Sequence, residues 1–441
     1  WGNIIAIKDP RETLRTIEYD EKTHRFPISE TIHLQDKTLS YHAQYDQILG
    51  VMISSTDIND HTTRYGYDPL ARLVWIAKPG DNTDEPTISY EYQLSNPISS
   101  VWVRRRVSPL STDVSSENPR LLEQVTHTDG LGRKRGVLEK AESGRWVATG
   151  KTTLDARGNP TKKYLPYFVD TFDYAPADAS KPYTETQRDA LGRKKTETLT
   201  DGTKIQIKYS PLSVITYDEN DTDPTSPHYD TPTVKHMDGL GRLRRIEEHT
   251  LPTSTNPSPD PDPNTYITRY EYTPTDDLLT VTDAEENTRT YTYDTFGNRL
   301  STDDPNAGYW VYEFDASGNE TARHDPQGRS IYRTYDQANR LLEETHFIPQ
   351  EGETTFARYH YDDPHPNHTD LTGSSSPNLS GRLSWVEDRA GFEAFAYDNW
   401  GRQVAETRKL TQNEIEGTYT TRYEYDTADR RIAVIYPDNT R

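Results

Sequence analysis

The sequence predicts an all-β fold in which tandem β-hairpins pair side by side and form one continuous coiled sheet. The first observation is a fixed period, because aromatic residues recur every 21 positions at Tyr272, Tyr293, Phe314 and Tyr335, as in stacked repeats. The second is the alternation of Thr and Tyr before these aromatics, as in 288–293, which indicates strands. A lone hairpin is marginal in water, so successive hairpins must pair, and sheet twist then coils the ribbon.

Each repeat has the same internal order of turn, strand, turn and strand. An Asp lies ten residues before the aromatic residue, as Asp283 does before Tyr293. After the aromatic comes Asp-x-x-Gly-Asn, in which the Asp can bond nearby backbone and the Gly can adopt positive φ. A second strand, such as 298–302, then leads to the next Asp. One repeat is therefore one hairpin with a turn at each end.

The aromatic residue and the turn that follows it are predicted to be structural anchors. The candidate anchor residues are Tyr67, Asp68, Tyr272, Tyr293, Asp294, Gly297, Phe314, Asp315, Gly318, Tyr335, Asp336, Tyr397, Asp398, Tyr425 and Asp426. Each anchor ring is expected to pack on the equivalent ring of the next hairpin, with its hydroxyl reaching water or backbone. The alternative is a platform on which a carbohydrate or a nucleic acid stacks.

Composition and charge narrow the classes of function. Hydrophobic residues make up 32% of the chain, against roughly 45–50% in typical domains on a count that includes Gly, so the core is expected to be thin. The net charge of −21 is spread along the chain, which disfavours nucleic acids and anionic membranes as partners. The absence of Cys excludes disulfides and thiolate metal sites. No apolar run approaches 18 residues and the first residues do not form a signal peptide, so no membrane insertion by this stretch is expected.

Repeat spacing divides the chain into three parts. Hairpins with looser spacing occupy 1–95, an insertion-rich β region occupies 96–265, and regular repeats occupy 266–441. Proline-rich segments are expected to form surface loops, where they cannot interrupt a strand ladder. These segments are 107–119, 223–233 and 251–264, and a further long loop is expected near 362–376.

Patterns for catalysis and metal binding are weak. The acidic run 218–223 resembles a calcium loop, but it has Asp223 where the loop needs Gly and Tyr229 where it needs Glu. Neither a zinc-binding His pattern nor a Gly-x-Ser-x-Gly motif occurs. A carboxylate pair for glycoside hydrolysis could arise by chance among so many acids, which keeps a hydrolase as a third class of function. We expect no enzyme activity, no metal and no cofactor. Crowded carboxylates are expected to repel one another, and protonation near roughly pH 4–5 should relieve that repulsion.

The repeated motif resembles a known family. Tyr-Asp-x-x-Gly-Arg-Leu at about 21 residues is similar to the YD repeat of the Rhs and teneurin proteins, over essentially the whole chain. The succession 129–133, 144–150, 164–168 and 217–222 resembles the region between the propeller and the Rhs repeats in the B component of bacterial insecticidal toxin complexes. The resemblance implies a segment of a hollow shell that encloses a toxic C-terminal polypeptide before delivery.

The resemblance also implies partners and a location. The partners are the enclosed toxin polypeptide, the remaining shell segments of the same or a partner chain, and a channel-forming toxin subunit, and the complex is secreted or delivered as a unit. The N-terminal propeller and the C-terminal autoproteolytic core of the family are missing from this stretch, which we expect to be part of a longer protein. Asp325-Pro326-Gln327-Gly328 matches one core motif, but its position predicts an ordinary turn. The alternative function is an extracellular adhesion or glycan-binding repeat protein, in which exposed Tyr and Trp would stack on sugars.

Overall fold

The computed structural model describes residues 2–95, 97–107, 121–250, 265–366, 378–411 and 417–441. Within them the chain is built almost entirely of short antiparallel strands that follow one another in sequence. The all-β class and the tandem hairpins are thus confirmed. Among the described residues there is one helix, of four residues, and no helix is long and apolar enough to cross a membrane.

The strands form two sheets where the sequence suggested one. The first sheet has 13 strands in the order β1 to β12 followed by β15. Its strands are β1 (Ala6–Lys8), β2 (Leu14–Tyr19), β3 (Pro27–His33), β4 (Thr38–Asp46), β5 (Val51–Thr56), β6 (Thr62–Tyr67), β7 (Leu73–Ala77), β8 (Ile88–Gln93), β9 (Ile98–Arg106), β10 (Leu121–Asp129), β11 (Lys134–Lys140), β12 (Trp146–Thr149) and β15 (Tyr167–Val169).

The second sheet has 22 strands, again with sequence neighbours side by side. Its strands are β13 (Thr152–Leu154), β14 (Pro160–Tyr164), β16 (Tyr183–Arg188), β17 (Lys194–Thr198), β18 (Lys204–Ser210), β19 (Ser213–Tyr217), β20 (Thr233–Met237), β21 (Leu243–His249), β22 (Thr265–Tyr272), β23 (Leu278–Thr282), β24 (Thr288–Tyr293), β25 (Arg299–Asp304), β26 (Gly308–Phe314), β27 (Glu320–His324), β28 (Ser330–Tyr335), β29 (Leu341–Ile348), β30 (Gly352–Tyr361), β31 (Leu383–Asp388), β32 (Gly391–Tyr397), β33 (Gln403–Leu410), β34 (Gly417–Tyr425) and β35 (Arg431–Ile435). The helix α1 (Glu219–Thr222) lies between β19 and β20.

The break between the sheets lies between β12 and β13. Gly150 has a φ of 62°, a left-handed conformation that favours Gly, and there the chain leaves one sheet for the other. β13 then pairs with β14 in the second sheet, while β15 returns to pair with β12 in the first. This local departure from hairpin-after-hairpin order is why the expected single sheet is divided.

Two of the proline-rich segments and the long loop lie largely outside the described residues. This holds for 251–264, for all of 107–119 except Val107, and for the long loop near 362–376 from residue 367 onward. The remaining segment, 223–233, has no strand until β20 begins at Thr233.

The chain separates into two compact units. Unit 1 comprises Trp1–Tyr92, Val101–Glu123 and Tyr312–Arg441, and unit 2 comprises Gln93–Ser100 and Gln124–Val311. The division of the sequence into 1–95, 96–265 and 266–441 stays a prediction.

Buried apolar side chains are few, and they cluster locally. In unit 2, Val125, Leu138 and Ala148 come from three adjacent strands and are essentially inaccessible. In unit 1, Trp385, Phe392 and Ala394 form a small core on β31 and β32. Most strands instead show half-buried residues on both faces. Hydrogen-bonded turns must therefore supply much of the order that a deep core would otherwise provide.

Candidate functional site

The turn after each anchor is closed by a single carboxylate. In the turn Asp336–Arg340, Asp336 Oδ1 accepts hydrogen bonds from the backbone N–H of Ala338 at 2.8 Å and of Arg340 at 2.9 Å. Its Oδ2 accepts from Arg340 Nε at 2.6 Å. The backbone N–H of Asp336 donates to the Arg340 carbonyl, and that of Asn339 donates to the Asp336 carbonyl. One Asp therefore binds both ends of a five-residue turn.

The same turn recurs at both edges of the sheets. We call the edge formed by turns that follow anchors, such as 294–298, 315–319 and 336–340, the anchor edge, and the opposite edge, with turns such as 283–287 and 325–329, the back edge. The aspartates that accept from the second and fourth following N–H groups are Asp9, Asp57, Asp68, Asp129, Asp155, Asp189, Asp238, Asp283, Asp294, Asp315, Asp325, Asp336, Asp398 and Asp426.

The Gly of the motif allows a β-bulge. Gly297 has a φ of 84° and Asn339, at the same turn position, has a φ of 61°. The strand register shifts at this point, so that Tyr293 lies opposite Arg299 across the turn. A residue in the left-handed region next to a bulge joins two strands without splaying them. This requirement explains why Gly or Asn recurs three residues after the Asp.

The Arg that closes many anchor-edge turns lies over the aromatic ring of the next hairpin. The guanidinium-to-ring distances are 4.5 Å for Arg72 and Tyr92, 4.2 Å for Arg193 and Tyr209, 5.0 Å for Arg242 and Tyr272, 4.4 Å for Arg340 and Tyr361, 5.4 Å for Arg382 and Tyr397, and 4.7 Å for Arg402 and Tyr425. Each such Arg thus contacts a turn in its own hairpin and a ring in the following one.

This arrangement differs from the expected ring-on-ring ladder. Consecutive anchors lie on alternate strands, and alternate strands are separated by roughly 9.6 Å. Aromatic pairs interact at centroid distances of about 4.5–7 Å, so two anchor rings do not reach each other. The flat guanidinium fills the gap and adds a cation–π contact. Arg and Tyr therefore alternate along the anchor edge.

The tyrosine hydroxyl makes a second connection between hairpins. It donates to the backbone carbonyl of the residue directly after the preceding turn, at 2.9–3.0 Å. The pairs are Tyr92 with Leu73, Tyr209 with Lys194, Tyr335 with Glu320, Tyr361 with Leu341 and Tyr397 with Leu383. Ring and hydroxyl together fix each hairpin against its neighbour.

Replacing Tyr335 by Phe should destabilise β27 and β28 by about 1 kcal/mol, because the bond to the Glu320 carbonyl is lost while the ring remains. Hydrogen exchange of the amides in these two strands measures the change. Tyr332→Phe is the control, since the ring of Tyr332 is 39% exposed and its hydroxyl has no hydrogen bond within the described part of the chain. Equal protection in wild type and Tyr335→Phe would contradict the role given to the hydroxyl.

The predicted anchor residues all occupy equivalent places. Each aromatic residue of the set is the last residue of its strand, and each Asp of the set is the first residue of a turn. Tyr272 is followed by Thr273, whose Oγ1 accepts from the N–H of Asp277 at 3.0 Å in place of a carboxylate. Phe314 lacks a hydroxyl, so its hairpin lacks the bond to the preceding turn. The structure thus places the set at one kind of position along the anchor edge.

Several turn carboxylates have a pKa below its usual value. The hydrogen bond from the Asn298 side chain, joined by the backbone N–H groups of Asn298 and Phe296, lowers the pKa of Asp294. Partial burial would raise the pKa of Asp68, but hydrogen bonds from Arg72 and Leu70 outweigh it and the pKa lies below its usual value. This direction is opposite to that expected from crowded carboxylates, because each Asp faces N–H donors.

Glu393 on β32 behaves differently. Burial is the main cause of its raised pKa, and the neighbouring charge of Glu406 adds to it. Within the described residues it is the carboxyl whose pKa is shifted upward, while shifted turn aspartates move downward.

Acid should therefore destabilise the fold. A carboxylate whose pKa is lower in the folded state contributes stability that is present above its unfolded pKa and is lost as pH falls through the folded pKa. We expect the melting temperature to stay constant between about pH 7 and about pH 5 and to fall below about pH 4. Circular dichroism melts across this range provide the measurement. A melting temperature that rises on acidification would restore the repulsion hypothesis.

The acidic run 218–223 caps a helix. Asp218 accepts from the N–H of Asn220 and Asp221, and Asp221 accepts in return from the N–H of Asp218. Asp221 also accepts from the Thr231 hydroxyl at 2.6 Å. These reciprocal bonds form a capping box, so both carboxylates have protein donors. No group of three metal-ligating side chains occurs among the described residues.

Within unit 1, anchor-edge turns of the later hairpins lie on back-edge turns of the first hairpins. Arg11 pairs with Asp315 at 3.1 Å, and Asn59 exchanges two hydrogen bonds with the backbone of Ser380. Trp400 Nε1 donates to the Pro79 carbonyl at 2.9 Å, and Lys78 Nζ lies 4.2 Å from the centre of the Trp400 ring. We call this set of contacts the seam. Its further members are Thr13 with Gln337, Lys37 with Asp362 and Asp363, Arg382 with Asp57, Lys78 with Asp429, and Thr427 with the Arg106 carbonyl.

Sequence reasoning missed the seam and the Arg–Tyr alternation. The sequence did carry a signal for the Arg–Tyr contact. Arg recurs four residues after the Asp, and a Tyr follows some 20 residues later, as in Arg340 and Tyr361. The seam joins residues more than 300 positions apart, and the hairpin period carries no trace of that pairing. Trp400 occupies the third position of its turn, where other turns have Ser317 or Ala338. Bulk at this position does not by itself mark a seam contact, because Phe296 has the same place in its turn and is 90% exposed.

Similarity to known proteins agrees with the repeats and the fold described above. The RHS Repeat family model matches residues 272–308 and 314–347. The TcdB2-TccC3 crystal structure superposes with a TM-score of 0.79 at 20% identity, covering 97% of this chain and 24% of that chain. The same protein without its hypervariable C-terminal region gives a TM-score of 0.80 at 18% identity, covering 97% of this chain and 26% of that one. No curated protein matches the sequence.

A Photorhabdus luminescens Tc holotoxin pore is also similar, with a TM-score of 0.79, 18% identity, and coverage of 97% of this chain and 26% of the matched chain. The chain thus spans about a quarter of the length of the proteins it resembles. At these identities the likeness concerns the fold. The chain thus carries RHS repeats at 272–308 and 314–347, and its fold is that of the TcdB2-TccC3 structures.

Proposed function

We propose that the chain forms part of the wall of an RHS-type toxin complex that encloses a toxic polypeptide before delivery. The observation that carries this proposal is the match of 97% of the chain to the TcdB2-TccC3 fold. Almost the whole length of the chain therefore has a counterpart in that fold. The chain's contribution is therefore structural, and its partners are the enclosed polypeptide, further shell segments and a channel-forming subunit.

The hairpin construction suits a wall. Except between β12 and β16, strands are hydrogen-bonded to their sequence neighbours, so backbone donors and acceptors inside each sheet are used. Free edges capture other chains as additional strands. A wall whose strands are paired leaves an enclosed, unfolded polypeptide few places to join the sheet.

We propose that this segment has no catalytic activity. The turn aspartates accept at least two hydrogen bonds each, and Asp336 accepts three. A carboxylate so engaged is a poor general base. Glu393, with its raised pKa, is the carboxyl best suited to proton transfer. A hydrolase screen with Glu393→Gln as the comparison tests this proposal. Activity that depends on Glu393 would refute it.

The glycan-binding alternative finds less support at the anchors. A sugar stacks on the open face of an aromatic ring, and a guanidinium lies over the ring of Tyr92, Tyr361 and Tyr425. A sugar on that face would have to displace a residue that also holds the preceding turn. This arrangement favours a structural role for the anchors.

Protease protection tests enclosure directly. In the complete assembly that contains this chain, the toxic polypeptide should survive limited proteolysis for as long as the wall stays folded. Denaturant that opens the wall should make the polypeptide cleavable at the same concentration. Cleavage of the polypeptide in the native assembly at the rate seen after unfolding would exclude enclosure.

The control for enclosure uses the same assembly and an exposed reporter. A protease site placed in the described surface turn at 201–203, on the back edge of β17 and β18, should be cut without denaturant. Cutting at this reporter shows that the protease is active, and survival of the toxic polypeptide in the same tube then reports protection.

A further inference from the structure

Three basic side chains lie together where the chain passes from the first sheet to the second. Lys151 follows Gly150 at this crossing and is 3% exposed. His127 on β10 is also 3% exposed, and Arg135 lies on the neighbouring strand β11. All three belong to unit 2. We call Lys151, His127 and Arg135 the junction cluster.

Strand register and a missing side chain bring the cluster together. His127 pairs with Gly136, and Arg135 is the extra residue of a β-bulge at this point, a feature that re-aims side chains. Gly136 leaves room for the Lys151 stem, because a Cβ there would lie 2.8 Å from Lys151 Cδ and 3.2 Å from its Nζ. Directly paired residues project on the same face with Cβ atoms roughly 5 Å apart. The Lys151 ammonium therefore lies beside His127.

The connection 172–175 closes over the cluster. The Tyr174 ring centre is 5.6 Å from that of His127 and 4.9 Å from Lys151 Nζ. Lys151 Nζ donates to the Ala175 carbonyl at 2.8 Å, and His127 bonds to the Phe172 carbonyl. One short connection thus contacts both buried side chains, which share one enclosed space.

Donors in the cluster outnumber their described acceptors. Lys151 has three N–H groups, and its hydrogen bond to a backbone carbonyl uses one of them. His127 Nδ1 and Arg135 Nε are buried and have no hydrogen-bond partner in the part of the chain that the structure describes. The Asp129 carboxylate is 3.9 Å from Arg135 Nη1, but it already accepts from Arg133 Nε at 2.8 Å. The cluster therefore lacks an acceptor.

The charge of the cluster is also unbalanced. Burial lowers the pKa of Lys151, and the charge of Arg135 lowers it further, while no carboxylate among the described residues acts on it. A buried charge is costly unless it is paired. The simpler alternative is that Lys151 only holds the connection 172–175 in place. That role uses one N–H group and leaves the donors of His127 and Arg135 unmatched, whereas one anion would satisfy all three side chains.

We propose that the junction cluster binds one small inorganic anion, of the size of chloride, between Lys151 Nζ, Arg135 Nε and His127 Nδ1. The size follows from the burial, since an organic anion would have to displace the connection 172–175. Charge-assisted hydrogen bonds of this kind are the strong ones. The anion ties β10 and β11 of the first sheet to the residue that precedes β13 of the second, where the order of the hairpins breaks.

The protonation of His127 couples to the anion. Since Nδ1 has no partner, its hydrogen bond to a backbone carbonyl comes from Nε2, and Nδ1 then carries a proton only in the imidazolium. Burial and the charge of Lys151 lower the pKa of His127, and Asp173 opposes them. The other charged groups of the surrounding elements are Arg135 and Asp129. A bound anion favours the imidazolium, so the affinity should rise as pH falls from about 8 to about 6.

Line broadening in chlorine NMR measures anion binding to the intact chain. At an ionic strength held constant with sodium gluconate, the chain should broaden the chloride line saturably, and bromide should displace the chloride. K151M should weaken binding at least about tenfold, and R135Q, which keeps the Lys151 contacts, should also weaken it about tenfold. K208M is the matched control, because Lys208 also lies over a ring, 4.4 Å from the centre of Tyr217, but is exposed. It should bind chloride like the wild type.

Bromide in crystals of the chain locates the site by anomalous scattering. The peak should lie between Lys151 Nζ and Arg135 Nε. A wild-type chain without saturable broadening, unchanged binding in K151M and R135Q, or bromide confined to surface lysines would overturn the proposal. Binding that weakens from about pH 8 to about pH 6 would overturn the role of His127. Circular dichroism spectra establish that the variants fold.

Discussion

Replacing Arg340 by alanine should cost about 3 kcal/mol of stability, at the lower end of the range for a broken buried ion pair. Arg340 donates to Asp336 and makes two bonds to Asp362, at 3.1 and 3.0 Å, while its guanidinium lies over Tyr361. The side chain of Asp362 is 5% exposed, so the substitution leaves its buried charge with Lys37 and the Gly381 N–H as its described partners. Equilibrium urea unfolding, followed by hydrogen exchange in β29 and β30, measures the loss.

Arg329 provides a matched control for this prediction. It occupies the same position in a back-edge turn and binds Asp325, but its side chain is 55% exposed and no aromatic ring is described beneath it. Exposed pairs contribute about 0–1 kcal/mol, so Arg329→Ala should change little. Arg340→Lys should fall between the two, because a single ammonium cannot reproduce the bidentate contact or the flat stacking. Equal losses for Arg329→Ala and Arg340→Ala would show that the next hairpin's ring and carboxylate contribute nothing.

Replacing Trp400 by alanine should open the seam. The substitution removes a half-buried ring, its hydrogen bond to the Pro79 carbonyl, and its contacts with Lys78 and Arg402. Full burial of Trp is worth roughly 3–5 kcal/mol on truncation, so the partial burial here suggests a loss of about 2–3 kcal/mol. Amides near residues 78–81 should lose protection from exchange, while those of the Asp398–Arg402 turn, closed by its own Asp, should lose less.

Phe296→Ala is the control for the seam, measured at dilute concentration. Phe296 has the same place in its turn but is 90% exposed, and its removal should leave stability within about 0.5 kcal/mol. Unchanged exchange at 78–81 in Trp400→Ala would contradict the role given to the seam.

The fold was predictable because its rule is local. Alternation marks strands, Asp-x-x-Gly marks turns, and together they place hairpins such as β24 and β25 at the positions observed. The sheet break at Gly150 was not predictable, since it depends on which of two strand partners β12 accepts. The anchor residues lie at the predicted positions, but their rings do not pack on one another. Strand spacing, and not the sequence period, sets the distance between the rings, and an Arg side chain lies between them. The seam was not predictable, because it joins distant turns whose local sequence pattern is shared by turns outside the seam.

The seam also constrains how the length of this chain can change. Its hydrogen bonds join residues separated by 304, 324, 326, 321, 321 and 321 positions. Inserting one complete 21-residue hairpin between the paired stretches would shift every seam partner by one hairpin. Trp400 would then no longer meet Pro79. Adding a single strand would also exchange the two edges downstream. Natural variation in length should therefore accumulate in the long connecting loops, where extra residues leave the count of hairpins unchanged.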